Sequence, residues 1–275
     1  GGRGPGDLVS DVTTVRLGDG ATPSVTLVRA LPGASGPTWE LPADAPQETK
    51  DEAAAARPHA EQLDFASPAL TAFWGRPMHI RGWVLLPPDY AAHPEQRYPT
   101  VYYTHGFSGK LSRLIADVAA MDKRMRNGQM PPMIWVFLDE SSATGTHEFA
   151  DSVNNGPWGT ALTSELIPDL EKRYRMDAQP SGRFLTGHSS GGWATLWLQV
   201  AYPKVFGGTW STSPDPSDFT DFTGPDLYAK DANVYRKPDG KAWPLVRDKG
   251  EVKATFEEFA RLERVLGPYG GQMSS

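Results

Sequence analysis

Chemistry in this chain centres on one serine, Ser189, set in Gly187-His188-Ser189-Ser190-Gly191-Gly192, which reads G-x-S-x-G. A serine hydroxyl is a weak nucleophile in water, and a sharp turn between a strand and a helix helps by pushing its side chain clear of the backbone. Glycines two residues before and two after keep bulk away from such a turn. The reading depends on what flanks the motif. Arg183-Phe184-Leu185-Thr186 predicts a short strand entering it, and Trp193 to Val200 predicts a helix leaving it, stopped near Pro203. The bland alternative is a glycine-rich turn between a strand and a helix with no chemistry.

Further back along the chain, strands and helices alternate. His79 to Leu86 reads as a half-buried strand stopped by Pro87-Pro88, and Val101-Tyr102-Tyr103-Thr104 as a strand ending in His105-Gly106-Phe107-Ser108-Gly109. Leu111 to Arg126 has helical spacing, and Met133 to Leu138 is a continuous apolar strand of the kind buried on both faces, with Asp139 at its carboxyl end. Thr160 to Arg175 predicts an amphipathic helix, in which Pro168 implies a kink or a late start. Val205 to Ser211 is the next strand candidate. This order specifies an α/β fold, a mostly parallel sheet with helices on both faces, whose sites lie at the carboxyl ends of strands. The turn after Thr104, Asp139 and Ser189 all fall there.

The flanking regions carry less information. Val12 to Val15 and Ser24 to Val28, around Gly18-Asp19-Gly20, predict a hairpin. From Leu31 to about Gln62 we expect a surface excursion with a short helix at Asp51 to Ala56. His59 and His93 read as exposed loop histidines. From Asp218 to Lys249 the chain is irregular, and Ala254 to Leu266 is helical in pattern, which suggests a cap over the site. The domain reading is therefore 1–64 as an N-terminal β-rich extension, 65–217 as the core and 218–275 as the cap or insertion.

Composition narrows the classes of function. The 39% hydrophobic content of 275 residues supplies a sizeable core, and a net charge of −6 argues against nucleic acid or an anionic membrane as the main partner. With no cysteine, thiol nucleophiles, disulfides and thiolate metal sites are excluded. No apolar run reaches transmembrane length. Asp215, Asp218, Asp221 and Asp226 do not have the spacing of a compact calcium loop, so neither metal nor cofactor is predicted. Many Trp, Gly and Pro residues favour a loop-rich, secreted or periplasmic enzyme over a cytoplasmic one. Oligomeric state is not legible.

Val84-Leu85-Leu86-Pro87-Pro88-Asp89-Tyr90, Tyr98-Pro99-Thr100-Val101 leading to His105-Gly106, Glu165-Leu166-Ile167-Pro168 with Tyr174-Arg175, the serine motif, and Tyr202-Pro203 with Phe206 occur in this order. Together they resemble the Putative esterase family, which includes enterochelin, feruloyl and acetyl xylan esterases, esterase D-like enzymes and mycolyltransferases. The resemblance covers roughly residues 65 to 215. It implies an α/β-hydrolase fold and cleavage of a small-molecule or carbohydrate-linked carboxylic ester through an acyl-enzyme on Ser189. It also implies an oxyanion hole made by the backbone N–H groups of Phe107 and Ser190. His105, Asp139, His147, Asn154, Asn155 and Trp158 are candidate pocket residues. Packing roles suit His105 and His188 better than that of a base, because a base must reach the serine from across the site.

One departure from the family pattern matters. The expected order is Ser, then Asp or Glu, then His, yet His188 is the last histidine of the chain. We therefore expect the acid and base, and the last strands of the sheet, to lie beyond Ser275, with Asp215 or Asp218 as the alternative acid and His147 as the best-placed internal base. An acyltransferase or peptidase on the same fold, or a non-catalytic hydrolase-fold binding module, are the competing functions.

Overall fold

The computed structural model describes residues 8–12, 14, 24, 26–30, 39–107, 109, 111–142, 145–221 and 224–266. Six strands make the central sheet: β1 (Ala60–Ala66), β2 (His79–Leu85), β3 (Thr100–Thr104), β4 (Ile134–Leu138), β5 (Arg183–His188) and β6 (Gly208–Thr212). Their order is β6-β5-β3-β4-β2-β1. From β4 through β3 and β5 to β6 all pairings are parallel, while β2 runs antiparallel to both β4 and β1. This is the α/β-hydrolase fold.

Alternation along β4 shows why the sheet needs cover on both faces. All five of its residues are buried. Ile134, Val136 and Leu138 enter one apolar cluster with Leu162, Leu166 and Leu170, whereas Trp135 and Phe137 enter another with Leu114, Ile115 and Val118. Successive side chains of a strand point to opposite faces, so an unbroken apolar run requires helices on both. Each fully buried large side chain contributes roughly 1.5–3 kcal/mol. The helices that supply this cover are α1 (Gln47–Ala56), α2 (Pro68–Trp74), α3 (Leu111–Arg126), α4 (Trp158–Arg173) and α5 (Ser190–Ala201). Among the described residues, no helix is long and apolar enough to cross a membrane.

Pro168 is accommodated in an unexpected way. The middle of α4, Leu162–Leu166, is wound as a π-helix, with the Ile167 N–H bonding the Leu162 carbonyl, and the last segment, Ile167–Arg173, starts with proline in its first turn. A proline cannot donate to the ladder, and the wider turn before it absorbs the mismatch without ending the helix.

Several sequence expectations need correction. Val12 lies outside any strand and is fully exposed; the antiparallel pairing instead joins Leu8–Val9 to Arg29–Ala30, and Thr13, Val15, Gly18, Asp19, Gly20 and Val25 lie outside the described residues. The sheet starts at Ala60, inside the stretch read as an extension and surface excursion, and α1 packs on α3. His59 is no exposed loop residue: its Nδ1 lies 2.7 Å from the fully buried Asp122. His93 is exposed, 3.3 Å from Asp89. The stretch read as irregular ends in a strand, β7 (Pro244–Asp248), which pairs with β8 (Glu251–Thr255), so that the helix expected from Ala254 starts later, as α6 (Phe256–Leu266).

Candidate active site

The strand order reverses between β3 and β5. From β3 the chain crosses to β4 on one side, and from β5 it crosses to β6 on the other, so the loops leaving β3 and β5 part and open a crevice at their carboxyl ends. Ser189 stands at the end of β5, immediately before α5, with φ 59° and ψ −126°. This is a conformation that a residue with a side chain rarely adopts, and strain of this kind persists only where the surroundings enforce it. Here they do. The Ser189 N–H donates to the Thr212 carbonyl of β6 at 3.1 Å, and its own carbonyl accepts from Trp193 N–H at 3.0 Å.

The glycines of the motif are explained by close approach. A Cβ on Gly187 would lie 2.3 Å from the Gly191 carbonyl oxygen, and one on Gly191 would lie 2.4 Å from the carbonyl oxygens of both Thr104 and His105. The first turn of α5 is therefore pressed against the end of β3, where Thr104 Oγ1 also donates to the Gly191 carbonyl at 2.8 Å. Gly106 meets the serine directly: a Cβ there would sit 3.0 Å from His188 O and 3.3 Å from Ser189 Cβ. Phe107 follows in the turn, with its side chain exposed, and Ser190 opens the helix, buried. The unpaired N–H groups at a helix N-terminus favour negative charge, and this one begins at Ser190.

His105 and Asp139 are found beneath this turn. His105 Nδ1 is 2.8 Å from the Gly106 carbonyl, and its Nε2 is 3.0 Å from Asp139 Oδ1 and 3.0 Å from the Glu140 N–H. The ring is only 5% exposed, so it supports the crevice from below. Burial pushes the Asp139 carboxyl up, but the hydrogen bonds from His105 and from Ser141 outweigh this and hold it below its ordinary value.

His147 lies buried in a stack on Trp158, ring centroids 3.5 Å apart and nearly parallel. Its Nδ1 accepts the Phe149 N–H, and burial pushes its pKa down to about 3, so it is a neutral ring. Asn155 acts through its backbone: its carbonyl oxygen accepts from the indoles of Trp158 at 2.7 Å and Trp74 at 3.2 Å. Asn154 is exposed. His188 is exposed too, its Nδ1 3.2 Å from Thr212 Oγ1. Asp215 is exposed, and the Asp218 carboxylate accepts from Thr220 N–H and Oγ, closing its own turn. Among the described residues, the Ser189 hydroxyl has no hydrogen-bond partner.

Sequence reasoning passed over Glu140. It is fully buried with neither carboxyl oxygen hydrogen-bonded, and burial, then Glu148, Asp139 and Asp215, push its pKa well above the ordinary value. The signal in the sequence is two consecutive acids, Asp139-Glu140, at the end of a strand buried throughout. Glu148 and Phe149, in the loop opposite, both have positive φ.

Comparison with known proteins gives a consistent pattern. The model of the family described as Putative esterase matches residues 72–257. The chain is 27% identical over 162 residues to the iron(III) enterobactin esterase of Dickeya dadantii (strain 3937), a match that takes in 56% of this chain and 35% of that protein. The chain thus spans about a third of the length of this curated relative. Among solved structures, it is similar to a ferulic acid esterase, at 20% identity and a TM-score of 0.49 over 56% of this chain and 60% of that one. It is also similar to a fluorophosphonate-binding serine hydrolase F of Staphylococcus aureus, at 14% identity and a TM-score of 0.46 over 62% of each chain.

Proposed function

The chain belongs to the Putative esterase family, and from that premise we propose that it is the nucleophile-bearing part of a serine esterase acting on carboxylic esters of small-molecule or carbohydrate-linked alcohols. Ser189 Oγ attacks the ester carbonyl carbon while its proton passes to an imidazole. The negative charge that builds on the carbonyl oxygen is taken by the N–H groups of Phe107 and Ser190, each of which contributes a few kcal/mol, about 3, to the transition state. The tetrahedral intermediate collapses, the C–O bond to the alcohol breaks, and the alcohol leaves with the proton from the imidazole. Water then cleaves the acyl-enzyme by the same steps and restores the serine.

The observation that carries this reading is the approach of Gly106 to Ser189: two turns from different strands meet at a strained serine with a helix N-terminus behind it. None of the six histidines of the chain bonds the Ser189 hydroxyl. In the proposed reading the base is therefore not supplied by any of these six contacts, and Asp215 or Asp218 stays the alternative acid. That unpartnered hydroxyl is also the observation that favours the second reading, a hydrolase-fold module that binds without catalysis.

The test is turnover of a panel of aryl, feruloyl and acetyl-sugar esters by the natural full-length enzyme, alongside its Ser189→Ala variant. Loss of several orders of magnitude is expected, as for other acyl-transfer nucleophiles. Activity of the variant within tenfold of wild type would overturn the assignment.

A further inference from the structure

We propose that His105 is a positioning residue: clamped by Asp139 and bonded to the Gly106 carbonyl, it fixes the turn that holds the Phe107 N–H against Ser189. This rests on the acyl-transfer reading given above. The Gly106 carbonyl can only accept, so the His105 Nδ1 at 2.8 Å carries a hydrogen. The same carbonyl accepts the Gly109 N–H at 3.0 Å, which ties Gly109 back to Gly106. The ring and the turn are fitted to each other: a Cβ on Gly109 would stand 2.2 Å from His105 Nδ1.

The far nitrogen links the turn to the neighbouring strand. Asp139 Oδ1 and the Glu140 N–H both lie 3.0 Å from His105 Nε2, and one ring nitrogen cannot donate to the first and accept from the second at once. Nε2 therefore serves one of the two at a time, and either contact ties the ring to the end of β4 while Nδ1 keeps its hydrogen on the Gly106 carbonyl. The titratable groups facing the ring are Asp139, Glu140, whose Oε1 is 3.8 Å from Nδ1, Asp117 on α3, and the neutral ring of His147. Asp139 is itself held by Ser141 N–H and Oγ at 3.0 and 2.6 Å, and its N–H bonds the Arg81 carbonyl at 2.9 Å. The path from the sheet to the serine therefore runs Arg81, Asp139, His105, Gly106, with each link a hydrogen bond or a close contact. The turn is otherwise at the surface, with Phe107 exposed, and a donor that stabilises a developing charge must be fixed before the charge appears.

The experiment uses this chain, with Asp139→Ala, the conservative Asp139→Asn, and a fluorophosphonate probe whose covalent capture by Ser189 places an oxygen where the oxyanion would sit. Far-ultraviolet circular dichroism checks folding, and backbone amide exchange at Gly106 and Phe107 is followed in all three proteins. Asp139→Ala is expected to lower the maximal labelling rate by about 100-fold, the cost of one oxyanion donor, with half-saturation unchanged and with faster exchange at both amides. Asp139→Asn, which keeps an acceptor in place, is expected to recover most of the rate. An unchanged labelling rate in Asp139→Ala overturns the proposal, and so does a change in half-saturation alone, since that would make the ring part of the substrate pocket. If wild type does not label, the unpartnered Ser189 hydroxyl accounts for it, the acyl-transfer reading stands on its own test, and exchange alone decides: unchanged exchange at Gly106 and Phe107 overturns the clamp, and faster exchange in Asp139→Ala with recovery in Asp139→Asn sustains it.

Discussion

Of the single residues, Glu140 has the most measurable signature. In the folded protein its carboxyl keeps a proton that the unfolded chain releases above the ordinary value of 4.5. The native state binds the extra proton, so stability falls as pH rises from about 4.5 toward the raised native value. Glu140→Gln removes the ionisable group and keeps the shape. The melting temperature of wild type should therefore drop relative to the variant as pH rises above about 4.5, and parallel curves would show that Glu140 is ionised in the native protein. At this scale the sequence was partly legible. The strand, turn and helix around Ser189 could be read from the spacing of Gly187 and Gly191 and from the apolar residues on either side. The environments of His147 and Glu140 could not, because burial among Trp158, Phe149 and the loop carboxylates depends on residues brought together from separate elements. The two asparagines illustrate the same limit: Asn155 is held by its main-chain carbonyl, about which a side-chain type says nothing.

Between elements, the tightest fit is at Gly82 in β2, where a Cβ would come within 1.9 Å of the Phe137 carbonyl oxygen of β4. Gly82→Ala must push these paired strands apart, and a loss on the order of 3 kcal/mol or more is expected in urea unfolding, against a small effect for Gly208→Ala, where an added Cβ would stand 3.8 Å from the Phe184 ring. Periodicity identified the strands that are buried on both faces and the long helix α3, whose residues match the expected span from Leu111 to Arg126. It missed β1, since only Ala60 and Leu63 of its seven residues are buried and its pattern lacks a steady alternation. It missed α2 for a related reason: Pro68–Trp74 is too short to show a period, and it is held by a capping bond from the Leu70 N–H to Ser67 Oγ and by Glu165 of α4, which accepts from Ser67 Oγ and the Ala69 N–H. Pro168 correctly marked an irregularity, but a π turn is one of several ways to absorb a proline, and neighbouring contacts select among them.

For the molecule as a whole, the central sheet has two edge strands among the described residues, β1 and β6. β6 pairs only with β5, Trp210 at its centre is 75% exposed, and Val200 nearby on α5 is 80% exposed. An unpaired strand edge with an exposed aromatic side chain is a template for self-association. Light scattering by this chain should therefore grow with concentration, and Trp210→Lys should suppress that growth without changing the circular dichroism; equal scattering by both proteins would show that this edge is not the contact. The strand order also sets a timetable. Parallel β3 and β4 can pair as soon as residue 138 has been made, but β3 waits for its other neighbour until Arg183–His188 has been synthesised, and the bond from Thr104 to Gly191 closes a loop of 87 residues. On the ribosome, half of the crevice would thus stand finished well before its serine exists, and the reactive turn would be among the last parts of the sheet to form.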